Sequence, residues 1–414
     1  MEFKTAYKIP ASLCIRCRGA KMLCGLSYCP ISVKNLLQPK IARFNGKEIS
    51  GSTPPAIFVG RYGYPKVNIY PSAPNIHGDT SGYESPSNWM KINMEEFLSM
   101  RLSLLRGGME VNVKNVSEPD RVLQDIQVMS LSEKPVEVEM EFTKNMNSAK
   151  IVLDEHVAPM GPSAPVKKIN IGNAKIEGFV DRIYSEDDLL AVDGINGMYR
   201  RGIDVTRISK ILSVGALGVK KQRKAVPTRW AITAADKNVS DELTDEIKQK
   251  PQLGEYLAYV RKTPGNLFTA ILSPRNWMFE WGEAWYPGST WNQWSDTPFV
   301  EIDYEMYGGR KDYPGIGGCY YASKLAALEA LKNLKRQGSA TLWREIYPGF
   351  NLPVGVWYVR ENVREMFRSK PESFSSYQEA LNYIASSLTV PVSMWRQKSG
   401  LDQILTYGGL DRFL

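Results

Sequence analysis

Four cysteines in one short window carry the clearest chemistry in this 414-residue chain. Cys14, Cys17, Cys24 and Cys29 read C-I-R-C-R-G-A-K-M-L-C-G-L-S-Y-C, a C-x2-C followed by a C-x4-C. Thiolates so spaced can wrap one tetrahedral Zn²⁺, the first pair forming a knuckle whose tight backbone Gly19 and Gly25 relieve. Two disulfides, an iron–sulfur cluster, or cysteines that merely pack are the alternatives. Packing alone would not gather four of five cysteines into one window, so a structural zinc is the expectation. The interleaved Arg16, Arg18 and Lys21 suit a nucleic-acid-facing ribbon and equally a solvated knuckle.

A second constellation is cationic. In G-A-L-G-V-K-K-Q-R-K-A-V-P-T-R-W, small residues precede Lys220, Lys221, Arg223, Lys224 and Arg229. Small residues let backbone N–H groups approach an anion, and the cations neutralise it, so phosphate binding is one reading and a solvated basic loop the other. A Walker-type G-x4-G-K-[ST] is absent. Arg61, on the turn between two expected strands, can hold a phosphate or carboxylate bidentately or tie down its own loop. Gly315, Gly317 and Gly318 open a helix and admit an anion cradle or a plain turn.

Carboxylates form the third group. Asp236 ends A-I-T-A-A-D, expected as a strand, and Glu280 and Glu283 lie in the tryptophan-rich W-M-F-E-W-G-E-A-W. Glu301, Asp303 and Glu305 alternate on one strand face. Buried together they would repel, so they face solvent, a cation or basic residues. As metal or general-base groups, with Arg61 and Arg229 neutralising charge, Asp236, Glu280, Glu283, Glu301 and Asp303 describe an enzyme acting on a nucleotide or phosphodiester. The clustered tryptophans mean core or a stacking surface.

The elements that must position these groups are mixed. Ala56–Val59 and Lys66–Tyr70 read as strands, and residues 94–106 as a buried helix stopped by Gly107-Gly108. Residues 118–132 read as a helix, and V-E-V-E-M-E-F as a half-exposed strand. A loop is expected over 161–166 and short strands from 167 to 181, a helix over 205–212, strands near 256–261 and 268–272, and helices over 321–336 and 376–388. The fold class is therefore α+β: a two-domain protein with an N-terminal zinc ribbon and a flexible C-terminal tail. Hydrophobic content of 43% and charged content of 23% describe a globular chain too long for one core. No apolar run spans a bilayer and the first residues lack a signal-peptide core, so a cytoplasmic, reducing environment and no membrane partner are expected. A net charge of +8 favours a polyanion. With only two histidines, His77 and His156, little material exists for a histidine triad. At the end, Leu410, Phe413 and Leu414 fall at i, i+3 and i+4, a plug for a hydrophobic pocket on a partner or on its own fold.

The motifs C-x2-C-R-G, F-V-G-R-Y-G-Y-P, K-Q-R-K-A-V-P-T-R-W-A-I-T-A-A-D, W-M-F-E-W-G-E-A-W-Y-P and G-G-C-Y-Y-A resemble those of the archaeal Nre family of DNA repair proteins. The resemblance covers nearly the whole chain. It implies a zinc-ribbon-like module at 1–35, an Nre N-terminal-type domain at 36–290, a C-terminal-type domain at 291–398 and a clamp-binding tail at 399–414. It further implies a DNA repair role and a C-terminal peptide that engages the sliding clamp. In the clamp pattern Gln-x-x-aliphatic-x-x-aromatic-aromatic, Leu410 and Phe413 match, Tyr407 stands at the Gln position and Leu414 at the second aromatic. The expected partners are thus the sliding clamp and DNA; zinc knuckles and basic loops suit RNA as well, which leaves an RNA- or ribosome-associated role as a further alternative.

Overall fold

Alternating apolar residues place Val136–Phe142 in a strand with one face buried, as its period-two pattern requires. The computed structural model describes residues 9–19, 21, 23–25, 29, 31, 46–146, 153–350 and 353–407. The chain divides into two units, one of Met1–Leu37 with Ser240–Leu414 and one of Gln38–Val239. Residues 408–414, which include Leu410, Phe413 and Leu414, lie outside the described residues.

The Gln38–Val239 unit holds a six-stranded mixed sheet. Its strands are β1 (Glu48–Thr53), β2 (Ala56–Val59), β3 (Lys66–Ala73), β4 (Leu105–Asn112), β5 (Val136–Phe142) and β6 (Ser163–Ile171), ordered β1-β5-β6-β4-β3-β2. The helix expected over 94–106 ends at Leu102, and Gly107 and Gly108 lie within β4. Their role is close packing: a Cβ would meet Met140 Sδ at 2.7 Å from Gly107 and the Tyr70 ring at 2.7 Å from Gly108. The helix start was more legible, because Asn93 and Glu96 form a capping box that satisfies the first N–H groups. The expected strands over 167–181 reduce to β6, which begins at Ser163 inside the expected loop, followed by a helix Gly178–Ser185. A-I-T-A-A-D is helical, part of Thr228–Lys248, which starts one residue after Pro227. Alanine is a better helix former than strand former, and a proline just before the first turn loses no hydrogen bond there.

The other unit is built on β7 (Tyr256–Thr263), β8 (Asn266–Ser273), β9 (Phe279–Trp285), β10 (Phe299–Glu305), β11 (Ser339–Ile346) and β12 (Glu372–Phe374), ordered β10-β9-β11-β8-β7-β12. β9 and β11 pair in parallel, and the other neighbours are antiparallel. One face carries an apolar cluster in which Trp343 stacks on Trp395 at 5.0 Å, completed by Leu381, Ile384 and Leu401. The helix Gly318–Leu334 is tied to β9 by the edge-on contact of Tyr320 with Phe279. Trp277, Trp281, Trp285 and Trp291 are all buried, so the tryptophan-rich segment is core and not a stacking surface.

The cysteine segment departs from a ribbon. Ala11–Cys17 is a short helix with Cys14 and Cys17 on its last turn. Arg18 and Gly19 then take positive φ of 46° and 69°, turning the chain back towards Cys24. Among the described residues of this segment there is no strand.

Candidate functional site

Burial organises the cysteines before any metal does. Ile15, Ile31, Trp285, Trp291 and Ile346 form an apolar cluster against which Cys14 and Cys29 pack, so the segment is docked at the paired ends of the central strands β9 and β11. Cys14, Cys17, Cys24 and Cys29 line one depression there. None of the chain's five cysteines is disulfide-bonded. Burial, and then Cys29, Cys17 and Cys24 around it, pushes the Cys14 thiol up to about 12. Ionised, these four sulfurs would repel one another, and a bound dication would relieve that repulsion, so in number and chemistry they fit zinc. Their arrangement is not that of a closed site: among the described residues no group of three or more His, Cys, Asp or Glu is set to hold a metal ion.

Arg18 connects this segment to the core. Expected as part of a cationic face, it is buried, its Nη2 donating to Glu283 Oε2 at 2.9 Å and its Nε to the Ile15 carbonyl at 2.9 Å. The guanidinium also stands 5.7 Å from the Trp285 ring centroid. Arg344 reaches the other Glu283 oxygen at 3.3 Å and holds Asn266 Oδ1 with its remaining N–H groups. Glu283 is thus clamped between two buried arginines. Sequence alone shows neither partner, because both pairings join residues far apart in the chain.

Glu280, Asp303 and Glu305 are committed as well. Glu280 lies on the opposite face of β9, accepting from Trp343 Nε1, Ser399 Oγ and Leu401 N. Burial raises its carboxyl above the ordinary range, against those hydrogen bonds. Glu301 stands across from Glu283 in the β9–β10 register. Asp303 pairs with Arg310 at 2.9 Å and caps Ile316 N, so the glycine loop serves a local carboxylate. Glu305 binds Lys324 and the Trp277 indole. Asp236 belongs to the other unit, buried on the Thr228–Lys248 helix. Instead of converging on an open pocket, Glu280, Glu283, Asp303 and Glu305 fill separate hydrogen-bond sites on two faces of one sheet.

The cations of the Gln38–Val239 unit divide into two kinds. Arg223 is buried, donating to the carbonyls of Gly218, Tyr184 and Glu186 while stacking on Tyr184. Arg229 is bound by Asp154 at 2.9 Å and Glu155 at 2.7 Å. Both hold the fold. Lys220 makes an exposed pair with Asp187, whereas Lys221 and Lys224 are exposed and make no ion pair among the described residues. Arg61 lies 5.1 Å from the Tyr62 ring on the β2–β3 turn.

The histidine count argued against a triad, yet His77 joins Ser50 Oγ at 3.3 Å and Glu137 at 2.6 Å. His77 and Glu137 are both more than half exposed, and Glu137 also accepts from Ser52. The Ser52 hydrogen bond, ahead of the His77 contact, holds the Glu137 carboxyl below its ordinary range. A carboxylate so wetted is a surface pair at the β1 edge.

Fold and site together define an α+β protein of two units, with a thiol cluster docked on one sheet and exposed lysines on the other unit. Models of the archaeal Nre N-terminal and C-terminal regions match residues 23–292 and 305–413. The chain belongs to the archaeal Nre family. It is 43% identical to the DNA repair protein NreB of Archaeoglobus fulgidus, over 94% of this chain and 96% of that protein. It is 37% identical to the DNA repair protein NreA of the same organism, over 92% and 95%. The DNA repair protein NreA of Haloferax volcanii is 32% identical over 86% of each chain. No solved structure matches. The family boundary near residue 300 and the division between units at 239/240 are different cuts through the chain. Among the described residues, no helix is long and apolar enough to cross a membrane.

Proposed function

We propose that this chain is a DNA repair factor that binds nucleic acid and is held at a sliding clamp by its C-terminal Leu410, Phe413 and Leu414. Cys14, Cys17, Cys24 and Cys29 carry a structural zinc. The observation that carries the reading is near-full-length similarity to relatives named DNA repair proteins. The exposed Lys221 and Lys224, with no carboxylate drawn to them among the described residues, support a phosphate-facing surface. Among the carboxylates of the enzymatic alternative, Glu283 already holds two arginines and Glu280 is occupied by three hydrogen-bond donors.

The tail is tested by affinity for a purified archaeal sliding clamp. An aromatic that fills a pocket typically contributes about 2 kcal/mol or more, so Phe413→Ala is expected to weaken binding roughly 30-fold. Unchanged affinity removes the tail from the account.

A further inference from the structure

The turn joining β2 to β3 projects aromatic side chains outward. Tyr62 is 75% exposed, Tyr64 49% and Trp230, on the first turns of the Thr228–Lys248 helix, 46%. Burying aromatic rings is among the larger gains of folding, so three left open together call for an explanation. They are held, not dangling. Gly60 N donates to Asn68 O and Lys66 N to Gly63 O, closing the turn. Val59 N donates to Thr228 Oγ1 at 2.8 Å, fixing the start of the helix against the hairpin. The rings of Tyr64 and Trp230 then lie 5.6 Å apart.

Cations frame the same surface. Val113 N donates to Pro65 O, and Ala225 N donates to Val113 O, which brings the segments bearing Lys114 and Lys224 beside the turn. Lys66, Lys114, Lys221 and Lys224 are exposed and make no ion pair among the described residues, while Arg61 lies over Tyr62. Acidic groups nearby are Glu110, across from Asn68 in the β3–β4 register, Asp187, which is engaged by Lys220, and Asp154 and Glu155, which bind Arg229 next to Trp230.

We infer that Tyr62, Tyr64 and Trp230, ringed by Arg61, Lys66, Lys114 and Lys224, form a stacking platform for unpaired bases of a single-stranded nucleic acid. A base presents its π-face to a protein only when it is unstacked, and the surrounding lysines meet the phosphates on either side. In a duplex those faces are hidden, so a platform of open aromatic rings discriminates strand state without reading sequence. This rests on the nucleic-acid reading above and assigns it a surface and a substrate form.

The test is fluorescence anisotropy of the full-length protein with labelled oligo-dT and, separately, a labelled duplex of equal length. Trp230→Ala and Tyr64→Ala are each expected to weaken oligo-dT binding about tenfold, a stacking contribution of ordinary size. Trp230→Phe should restore most of the loss, and duplex affinity should stay within about twofold. Both side chains are exposed, and an unchanged unfolding midpoint confirms that the variants fold. If Trp230→Ala and Tyr64→Ala bind oligo-dT like the parent, the platform is overturned while nucleic-acid binding stands. Equal losses on both oligonucleotides also overturn it, since the residues then do not distinguish strand state. If the parent protein binds neither oligonucleotide at low salt, both readings fall together.

Discussion

Removing Arg18 is the perturbation whose size the structure sets most directly. Its side chain is 4% exposed and that of Glu283 is fully buried, so their 2.9 Å pair is screened little by water. Truncating one member of a buried pair generally costs about 3–5 kcal/mol, because the survivor is left charged in a poorly polarisable interior. Here Glu283 keeps Arg344 at 3.3 Å, which places Arg18→Ala near the lower bound, about 3 kcal/mol. Glu283→Gln leaves two buried guanidinium groups without their anion and belongs near about 5 kcal/mol. At about 2–4 °C per kcal/mol for a unit of this size, the melting point should fall roughly 6–12 °C for the first variant and 10–20 °C for the second. Urea unfolding followed by tryptophan fluorescence reads this unit, whose buried indoles adjoin the pair. A double-mutant cycle with Glu283→Gln should show strong coupling, since both changes remove one interaction. If Arg18→Ala costs under about 1 kcal/mol, in the range of an exposed pair, the docking of the cysteine segment on β9 is refuted.

Two further outcomes follow from the same physics. Purified under reducing conditions, the protein should contain one zinc per chain; Cys17→Ser should lower that content and destabilise the unit that holds Arg18, whereas full zinc retention in the variant would exclude Cys17 as a ligand. In the other unit, burial opposes ionisation of Glu84, but Arg101 and Lys210 outweigh it and hold its carboxyl below the usual 4.5. Burial, and behind it Arg101, also pulls the Lys210 ammonium below its usual value, towards the neutral amine; the ionised trio is favoured because one carboxylate there faces two cations. A depressed carboxyl lends stability above its unfolded value and loses it as pH falls through the folded one. The cost of Glu84→Gln should therefore be large at neutral pH and shrink below about pH 4.5, as followed by acid unfolding; a pH-independent cost would contradict the pairing.

What the sequence revealed depended on how local the cause was. Val136–Phe142 was legible because a half-buried strand writes its period into seven residues. The helix Tyr377–Ala385 was legible for a local reason too, since Ser376 and Glu379 close a capping box at its start. The alternation of Glu301, Asp303 and Glu305 correctly called for cations, and Arg310 and Lys324 answer two of them. Gly107 and Gly108 misled because their reason for being glycine is a neighbouring strand. Arg223 and Arg229 looked like ligand-facing cations, and only tertiary structure shows the carbonyls and carboxylates that hold them. Tyr64 and Trp230 are far apart in sequence and no local pattern joins them; an arginine followed at once by an aromatic, Arg61-Tyr62 and Arg229-Trp230, was the available signal.

If this molecule grips phosphates, counterion release makes its affinity fall with salt, and the decisive quantity is the slope of log affinity for single-stranded DNA against log salt, for the parent and for Lys221→Ala/Lys224→Ala. The parent should show a clearly negative slope, and the double variant a slope shallower by roughly 1.4, about 0.7 for each phosphate no longer neutralised. A flat parent slope, or an identical one in the variant, would contradict it.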